Sequence, residues 1–357
     1  MYKIFENKKV IVTGHTGFKG SWLTIWLIKL GAKVVGISKD IPTKPSMFEE
    51  LDIENKITHY VEDVRNLKEI CKIINLEKPD FIFHLAAQPI VSLSYEDPTD
   101  TISSNVIGTM NILEALRSYN DLCTAIFITS DKCYDNIEWI WGYKETDGLG
   151  GKDVYSGSKG AAELIIKSYY HSFFKKNNKI KIASARAGNV IGGGDWAINR
   201  IIPDCIRSWN KNDLVEIRSP KATRPWQHVL EPLSGYLTLA EKLFNDDSID
   251  GESFNFGPNA DQNHTVVELI EKLSAFWNFK KSQKVYKITE NIKFNEASLL
   301  KLNCDKALFY LDWKSSLNYN ELLEFTGEWY YNFYFKKSNM FDFTINQIEK
   351  YESKSRF

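Results

Sequence analysis

The sequence lacks several things, and each absence removes a class of protein. It has no excess charge of either sign: 45 Lys and Arg face 46 Asp and Glu, a net of −1. So balanced a chain offers no overall electrostatic footprint for nucleic acid or for a membrane surface. No apolar run is long enough to span a bilayer, and Met1-Tyr2-Lys3-Ile4-Phe5-Glu6 has no signal-peptide pattern. The reading is a soluble cytoplasmic protein with no nucleic-acid or membrane partner. The five cysteines (Cys71, Cys123, Cys133, Cys205, Cys304) include no C-x-x-C pair. An odd, scattered set marks neither a disulfide framework nor a metal site, and it fits a reducing compartment. Internal repeats and low-complexity segments are missing too. What remains, 43% apolar and 25% charged over 357 residues, suffices for a buried core in one large or two modest domains.

Chemistry concentrates between Thr129 and Lys159. The run Thr124-Ala125-Ile126-Phe127-Ile128 reads as a buried strand. Thr129-Ser130-Asp131-Lys132-Cys133-Tyr134 follows it directly. Hydroxyl, carboxyl and amine groups therefore meet where a central strand ends, the usual place for a site in an open α/β sheet. Downstream, Tyr155 and Lys159 lie four apart in a helical pattern and share one face. A lysine beside a phenol favours the phenolate and makes a base of it. Alone, a Tyr-x-x-x-Lys pair is common on helix surfaces, and Asp131-Lys132 without its flanks reads more readily as a local ion pair.

At the N-terminus, Val10-Ile11-Val12-Thr13 reads as a strand. Gly14-His15-Thr16-Gly17-Phe18-Lys19-Gly20 is a glycine-rich turn, and a helix with Trp22, Leu23, Trp26 and Leu27 follows. Lys33 to Ile37 is a second strand. This β–turn–α–β opening is that of a dinucleotide-binding fold, with glycines spaced G-x-x-G-x-x-G for a tight turn, close approach to a pyrophosphate, and helix packing. The acidic ribose ligand is lacking: Ser38 holds its place, followed by Lys39 and Asp40. Glu62-Asp63-Val64 ends a third strand, where a carboxylate can meet adenine. Phe81 to Ala87 reads as a strand running into small residues, with His84 a satisfied core histidine. Thr99 to Tyr119 is helical and contains Asn105. Strands and helices alternate through Arg186, so the fold class is α/β, a doubly wound parallel Rossmann sheet with a smaller C-terminal substrate-binding lobe. The expected division is 1–188 with 222–257 for the cofactor domain, 189–221 with 258–345 for the lobe, and 346–357 as a charged, mobile tail. The Asp153–Phe174 helix is too apolar for one buried face. Its second face meets a partner subunit, giving a homodimer or dimer-based oligomer; the alternative is cover by the chain's own C-terminal half.

The glycine turn, Ser130 and the Tyr155/Lys159 pair resemble the extended short-chain dehydrogenase/reductases (NAD-dependent epimerase/dehydratases) that act on nucleotide sugars. The strings VIVTGHTGFKGSWL, TSDKCYDN, YSGSKGAAELII, GNVIGGGDWA and RPWQHVLEPLSGYL are similar to the branch that dehydrates CDP-glucose. The likeness covers roughly residues 8 to 313. It implies tightly bound NAD, held by Gly14, His15, Gly17, Phe18, Gly20, Ser38, Asp63, Val64, Leu85, Ala86, Ala87, Asn105, Tyr155 and Lys159. It implies that Tyr155 is the base at the sugar's 4-hydroxyl, Lys159 keeps Tyr155 ionised, and Ser130 bonds the 4-ketone. Lys132 is then the base at carbon 5, and Asp131 the acid at the 6-hydroxyl. Substrate contacts are implied for Gln88, Asn189, Arg200, Arg218, Arg224, Trp226 and Asn255, with Arg224 on the diphosphate. Trp196 and Trp226 either wall the nucleotide or pack the lobe. A 4-epimerase needs no acid/base pair for carbons 5 and 6, and a cofactor-sensing binding protein needs no Tyr/Lys pair.

Overall fold

The computed structural model describes residues 2–259, 262–277, 279, 283–289, 299–336 and 338–355. The apolar runs form β1 (Lys9–Thr13), β2 (Lys33–Ser38), β3 (Thr58–Val61), β4 (Phe81–His84), β5 (Cys123–Ile128) and β6 (Ile180–Ala187). Between them run α1 (Phe18–Lys29), α2 (Met47–Glu50), α3 (Leu67–Glu77), α4 (Val91–Glu96), α5 (Pro98–Ile102), α6 (Gly108–Arg117) and α7 (Val154–Tyr169). After β6 come β7 (Val190–Ile191), α8 (Ile201–Asn210), β8 (Val215–Ile217), β9 (Thr223–Arg224), β10 (Gln227–His228), α9 (Leu230–Asn245) and β11 (Ser253–Phe256). The described elements end with β12 (His264–Thr265), α10 (Val266–Ser274), β13 (Tyr286–Ile288), α11 (Asp305–Leu311), α12 (Tyr319–Tyr331) and α13 (Met340–Lys354).

Seven strands form one parallel sheet in the order β3-β2-β1-β4-β5-β6-β11. Both β4 and β5 are buried along their whole length, which is why they read as continuous apolar runs rather than alternating ones. Alternate residues of β1 feed opposite cores. Val10 and Val12 join α1, α9 and α13 on one face, and Ile11 joins α3, α6 and α7 on the other. Strand order reverses between β1 and β4, so a crevice opens at their carboxyl ends. The remaining short strands pair two by two, β10 with β7, β12 with β9 and β13 with β8, outside the main sheet.

Two expectations need correction. The fourth strand stops at His84, and Leu85 to Ala87 leave the sheet as the loop facing Gly14. The segment after residue 345 is not a mobile tail through residue 355: α13 runs to Lys354, with Ile348 and Tyr351 fully buried. Tyr351 donates to Glu231 on α9 at 2.7 Å, and the same carboxylate accepts from the Leu317 backbone N–H at 2.6 Å. The charges lie on the helix's outer side, where Glu352 pairs with Lys29 and Lys350 with Glu324. Residues 356 and 357 lie outside the described residues. On α7, Leu164 is 54% exposed, and Phe173 just beyond it is 46% exposed.

Candidate active site

The site forms where β5 ends. Ser130 leaves the strand in extended backbone and caps a short 3-10 turn over Asp131–Cys133, its Oγ accepting from the Lys132 N–H at 3.2 Å. The same hydroxyl donates to Asp131 Oδ1 at 2.9 Å. Asn189 Nδ2 approaches Asp131 Oδ2 at 3.4 Å. Asp131 is buried and Lys132 half-buried, and among the described residues no ion pair joins them. The local ion-pair reading of these neighbours therefore fails. Asp153 caps α7 by accepting from the Ser156 N–H at 2.9 Å, which sets Tyr155 and Lys159 on the first two turns. Both are buried. Burial pushes the Tyr155 phenol up to about 12, against the pull of its hydrogen bond with Ser130. Burial lowers the Lys159 ammonium to about 8. The Ser130 hydroxyl and the charge of Arg200 both draw the phenol down.

Behind the site, Glu163 on α7 meets Arg186 on β6 at 2.7 Å, both nearly inaccessible. Glu163 also accepts from Thr129, the residue before Ser130, and from Ser184. Burial alone would raise this carboxyl, but the guanidinium and the hydroxyl donors prevail and hold it below its ordinary range. One buried acid thus ties α7 to both strands beneath the site.

The glycine turn fits a dinucleotide. Gly14 has φ +74°, and a Cβ there would lie 2.8 Å from the Ala86 nitrogen. A Cβ on Gly20 would lie 2.1 Å from the Gly14 carbonyl oxygen. Gly17 begins α1 without a side-chain cap, leaving first-turn N–H groups for a pyrophosphate. Small Ala86 and Ala87 border the same crevice. Several residues expected at the cofactor are turned elsewhere. The His15 ring is fully buried, bonded to His59 at 2.8 Å and to Ser38 Oγ at 3.0 Å, so both side chains serve each other. Gly36 supplies the room for that ring. Asp63 is clasped by Arg65. Val64 is buried against Gly108. Asn105 bonds the Gln88 N–H at 2.8 Å and Ser158 Oγ at 2.9 Å, fastening the β4 loop to α7. Gln88 spends its amide on Thr101 and the Ile90 N–H. His84 is satisfied by Thr13 and Thr109, as a core histidine should be.

The substrate candidates divide. Arg200 reaches the site, where its charge acts on Tyr155, and it pairs with Asp195 at 3.1 Å. Arg224 sits half-buried on β9 with Nη1 on the Thr223 carbonyl. Asn255 is a correction: it is fully buried, bonded to Tyr134 and to the carbonyls of Tyr143 and Asn303. Trp226 is buried in the main core, and Trp196 packs against Trp329 and Phe333, so both pack the lobe. Arg218 is exposed and acts on Asp204. Sequence reading passed over Lys19. Burial lowers it to about 8, and it feels Arg200, Lys159 and Asp131. It sits inside the glycine turn, whose sequence signal is carried by the glycines alone.

Among the described residues, no group of three metal-ligating side chains occurs and no helix is long and apolar enough to cross a membrane. The family model described as GDP-mannose 4,6 dehydratase matches residues 11–326. A CDP-glucose 4,6-dehydratase of Salmonella typhimurium is 44% identical over 330 residues, covering 91% of each chain. A dTDP-D-glucose 4,6-dehydratase of Dictyostelium discoideum is 26% identical, covering 91% of this chain and 82% of that protein. In structure, a dTDP-glucose 4,6-dehydratase of Streptomyces venezuelae with NAD bound aligns at TM-score 0.77 and 18% identity, covering 90% of this chain and 96% of the other.

Proposed function

Since this chain belongs to the GDP-mannose 4,6 dehydratase family, we propose that it is an NAD-dependent hydro-lyase that converts CDP-glucose to CDP-4-dehydro-6-deoxyglucose and water. The observation that carries this reading is the acid/base pair Asp131 and Lys132 at the same strand end as Ser130, Tyr155 and Lys159. The crevice residues Gly14, Gly17, Gly20, Ala86, Ala87 and Lys159 hold NAD. When bound, the cofactor supplies the hydride acceptor and donor that let a redox step begin and end on one sugar.

The side chains do the rest. Tyr155 takes the proton of the 4-hydroxyl, and Ser130 donates to the oxygen that becomes the ketone. A ketone at carbon 4 acidifies the proton on carbon 5, and Lys132 removes it. Asp131 protonates the 6-hydroxyl, which leaves as water. Each such proton transfer is worth about 100- to 10,000-fold in rate. Arg224 and Arg200 hold the diphosphate. Residues 1–188 with 222–257 carry the cofactor, and 189–221 with 258–345 carry the nucleotide sugar. The product suits deoxysugar assembly for lipopolysaccharide or other surface polysaccharide, in the cytoplasm.

The test is isotopic. In deuterated water the product should carry deuterium at carbon 5, and substrate deuterated at carbon 4 should give product labelled at carbon 6. Lys132→Met should block both exchange at carbon 5 and water loss, while a 4-keto sugar remains trappable by borohydride. Unlabelled 6-deoxy product from the wild type, or wild-type elimination by Lys132→Met, would overturn the assignment.

A further inference from the structure

Beside Asp131 lies a small hollow of about 10 Å³, lined by Asp131, Gly188, Asn189, Gln227, Pro258 and Leu302 among others. That volume is the lower limit for one water molecule and far below what a sugar needs. Gln227 is 2% exposed. Its Nε2 donates to the Gly188 carbonyl at 3.0 Å and to the Phe256 carbonyl at 2.9 Å. Those two bonds fix which end of the amide is nitrogen. The other end, Oε1, is buried and has no hydrogen-bond partner among the described residues. An unpaired buried acceptor is destabilising, so the site calls for a donor small enough to fit.

Asp131 lines the same hollow and has capacity of its own. Its Oδ1 receives the Ser130 hydroxyl at 2.9 Å, but Oδ2 has only the long approach of Asn189 at 3.4 Å. Gly188 makes this arrangement possible, since a Cβ there would fall 2.0 Å from the Asp131 carboxyl carbon. The residue whose carbonyl holds Gln227 is thus the one that leaves room for the acid.

We propose that this hollow is a binding site for a single water molecule, which donates to Gln227 Oε1 and to the Asp131 carboxyl and so positions Asp131 for the elimination. The functional half of the inference rests on the dehydratase reading. In that step Lys132 takes the carbon 5 proton, the carbon 5–carbon 6 double bond forms, and the carbon 6–oxygen bond breaks. The departing hydroxyl takes the Asp131 proton and leaves as water. Asp131 is left as a carboxylate, and the bound water's hydrogen bond is then strongest. The proton that Tyr155 removed from the 4-hydroxyl balances the one Asp131 gives, so no further reagent is needed. Gln227 is a positioning residue in this scheme and touches no reacting atom.

Two measurements test it. A crystal structure of the full chain at a resolution that shows waters should contain one ordered water within hydrogen-bond distance of both Gln227 Oε1 and the Asp131 carboxyl. An empty hollow overturns the proposal, whatever the enzyme's activity. Gln227→Met removes the acceptor, together with the two bonds to the Gly188 and Phe256 carbonyls, at similar volume. With CDP-glucose it should lower kcat about tenfold at unchanged KM and raise the amount of 4-keto sugar trapped by borohydride. A folded Gln227→Met with wild-type kcat overturns the positioning role; if that variant does not fold, the crystallographic result decides. Failure of the wild type to dehydrate CDP-glucose would overturn the dehydratase reading and the positioning role together, leaving the water's presence as a separate result.

Discussion

Burial raises the Tyr155 phenol to about 12 and lowers the Lys159 ammonium to about 8, moving both groups toward neutrality for one reason: charge is costly in a dry site. The Ser130 hydroxyl is the side-chain bond that opposes this on the phenol, and Asp131 shares that hydroxyl. Serine, acid and tyrosine thus form one connected unit. Tyr155→Phe removes a single hydroxyl from it and should leave the melting transition close to wild type. Conversion of CDP-glucose should fall at least about 100-fold, the lower end of what one acid/base group contributes. Product formation in a folded variant is the measurement, and near-normal turnover would remove Tyr155 from the chemistry. At this scale the residue types that meet at the end of β5 were legible from spacing. The roles of Ser38, His15, Asn105 and Asn255 were not, because each spends its polar atoms on partners distant in sequence.

The position of α7 depends on a charge pair its own sequence does not reveal. Glu163 lies one turn beyond Lys159, and its partner Arg186 comes from β6. Removing one member leaves the other charged and buried, so Glu163→Gln should destabilise the fold by about 3–5 kcal/mol in denaturant titration. The sign with pH follows from the depressed Glu163 carboxyl. Its stabilisation is fully present above the unfolded-state value and lost as pH falls through the lower folded value. As pH falls below the ordinary glutamate range the wild type should therefore lose more stability than Glu163→Gln. An equal loss in both would show that the carboxyl does not carry this linkage. Because Glu163 also holds Thr129, the variant should also weaken catalysis through the displaced Ser130. Among elements, long amphipathic or wholly apolar segments were legible in sequence, and α13 was not. Its charged outer face looked like a tail until Tyr351 and Ile348 were placed in the core beside α9.

At the scale of the whole molecule, apolar side chains remain uncovered on neighbouring helices. Ile102 on α5 is 48% exposed, Leu164 on α7 54% and Phe173 46%. Such a surface fits a second copy of the chain, and we expect a dimer at micromolar concentration. Leu164→Glu should weaken association by roughly tenfold or more, since burying one leucine is worth about 1.5–3 kcal/mol. Light scattering over a dilution series reads this directly, and a monomeric wild type at all concentrations would count against it.

The sequence by itself determined the parallel doubly wound sheet, because alternating buried strands and helices of this length pack stably in few other ways. It also determined the chemical types at the end of β5, since Ser130, Asp131 and Lys132 are consecutive and Tyr155 and Lys159 share a helical face. Only the tertiary structure decided which polar groups are free to act. Asn255 and Asp63 are spent on internal partners, whereas Asp131 turns away from Lys132 toward Ser130 and the space over Gly188. Lys19 entered the site, and Gln227 came to the acid's side, through the same folding. The physical reason is that a buried polar group is defined by its partners, and those partners arrive from strands and loops that the local pattern does not connect.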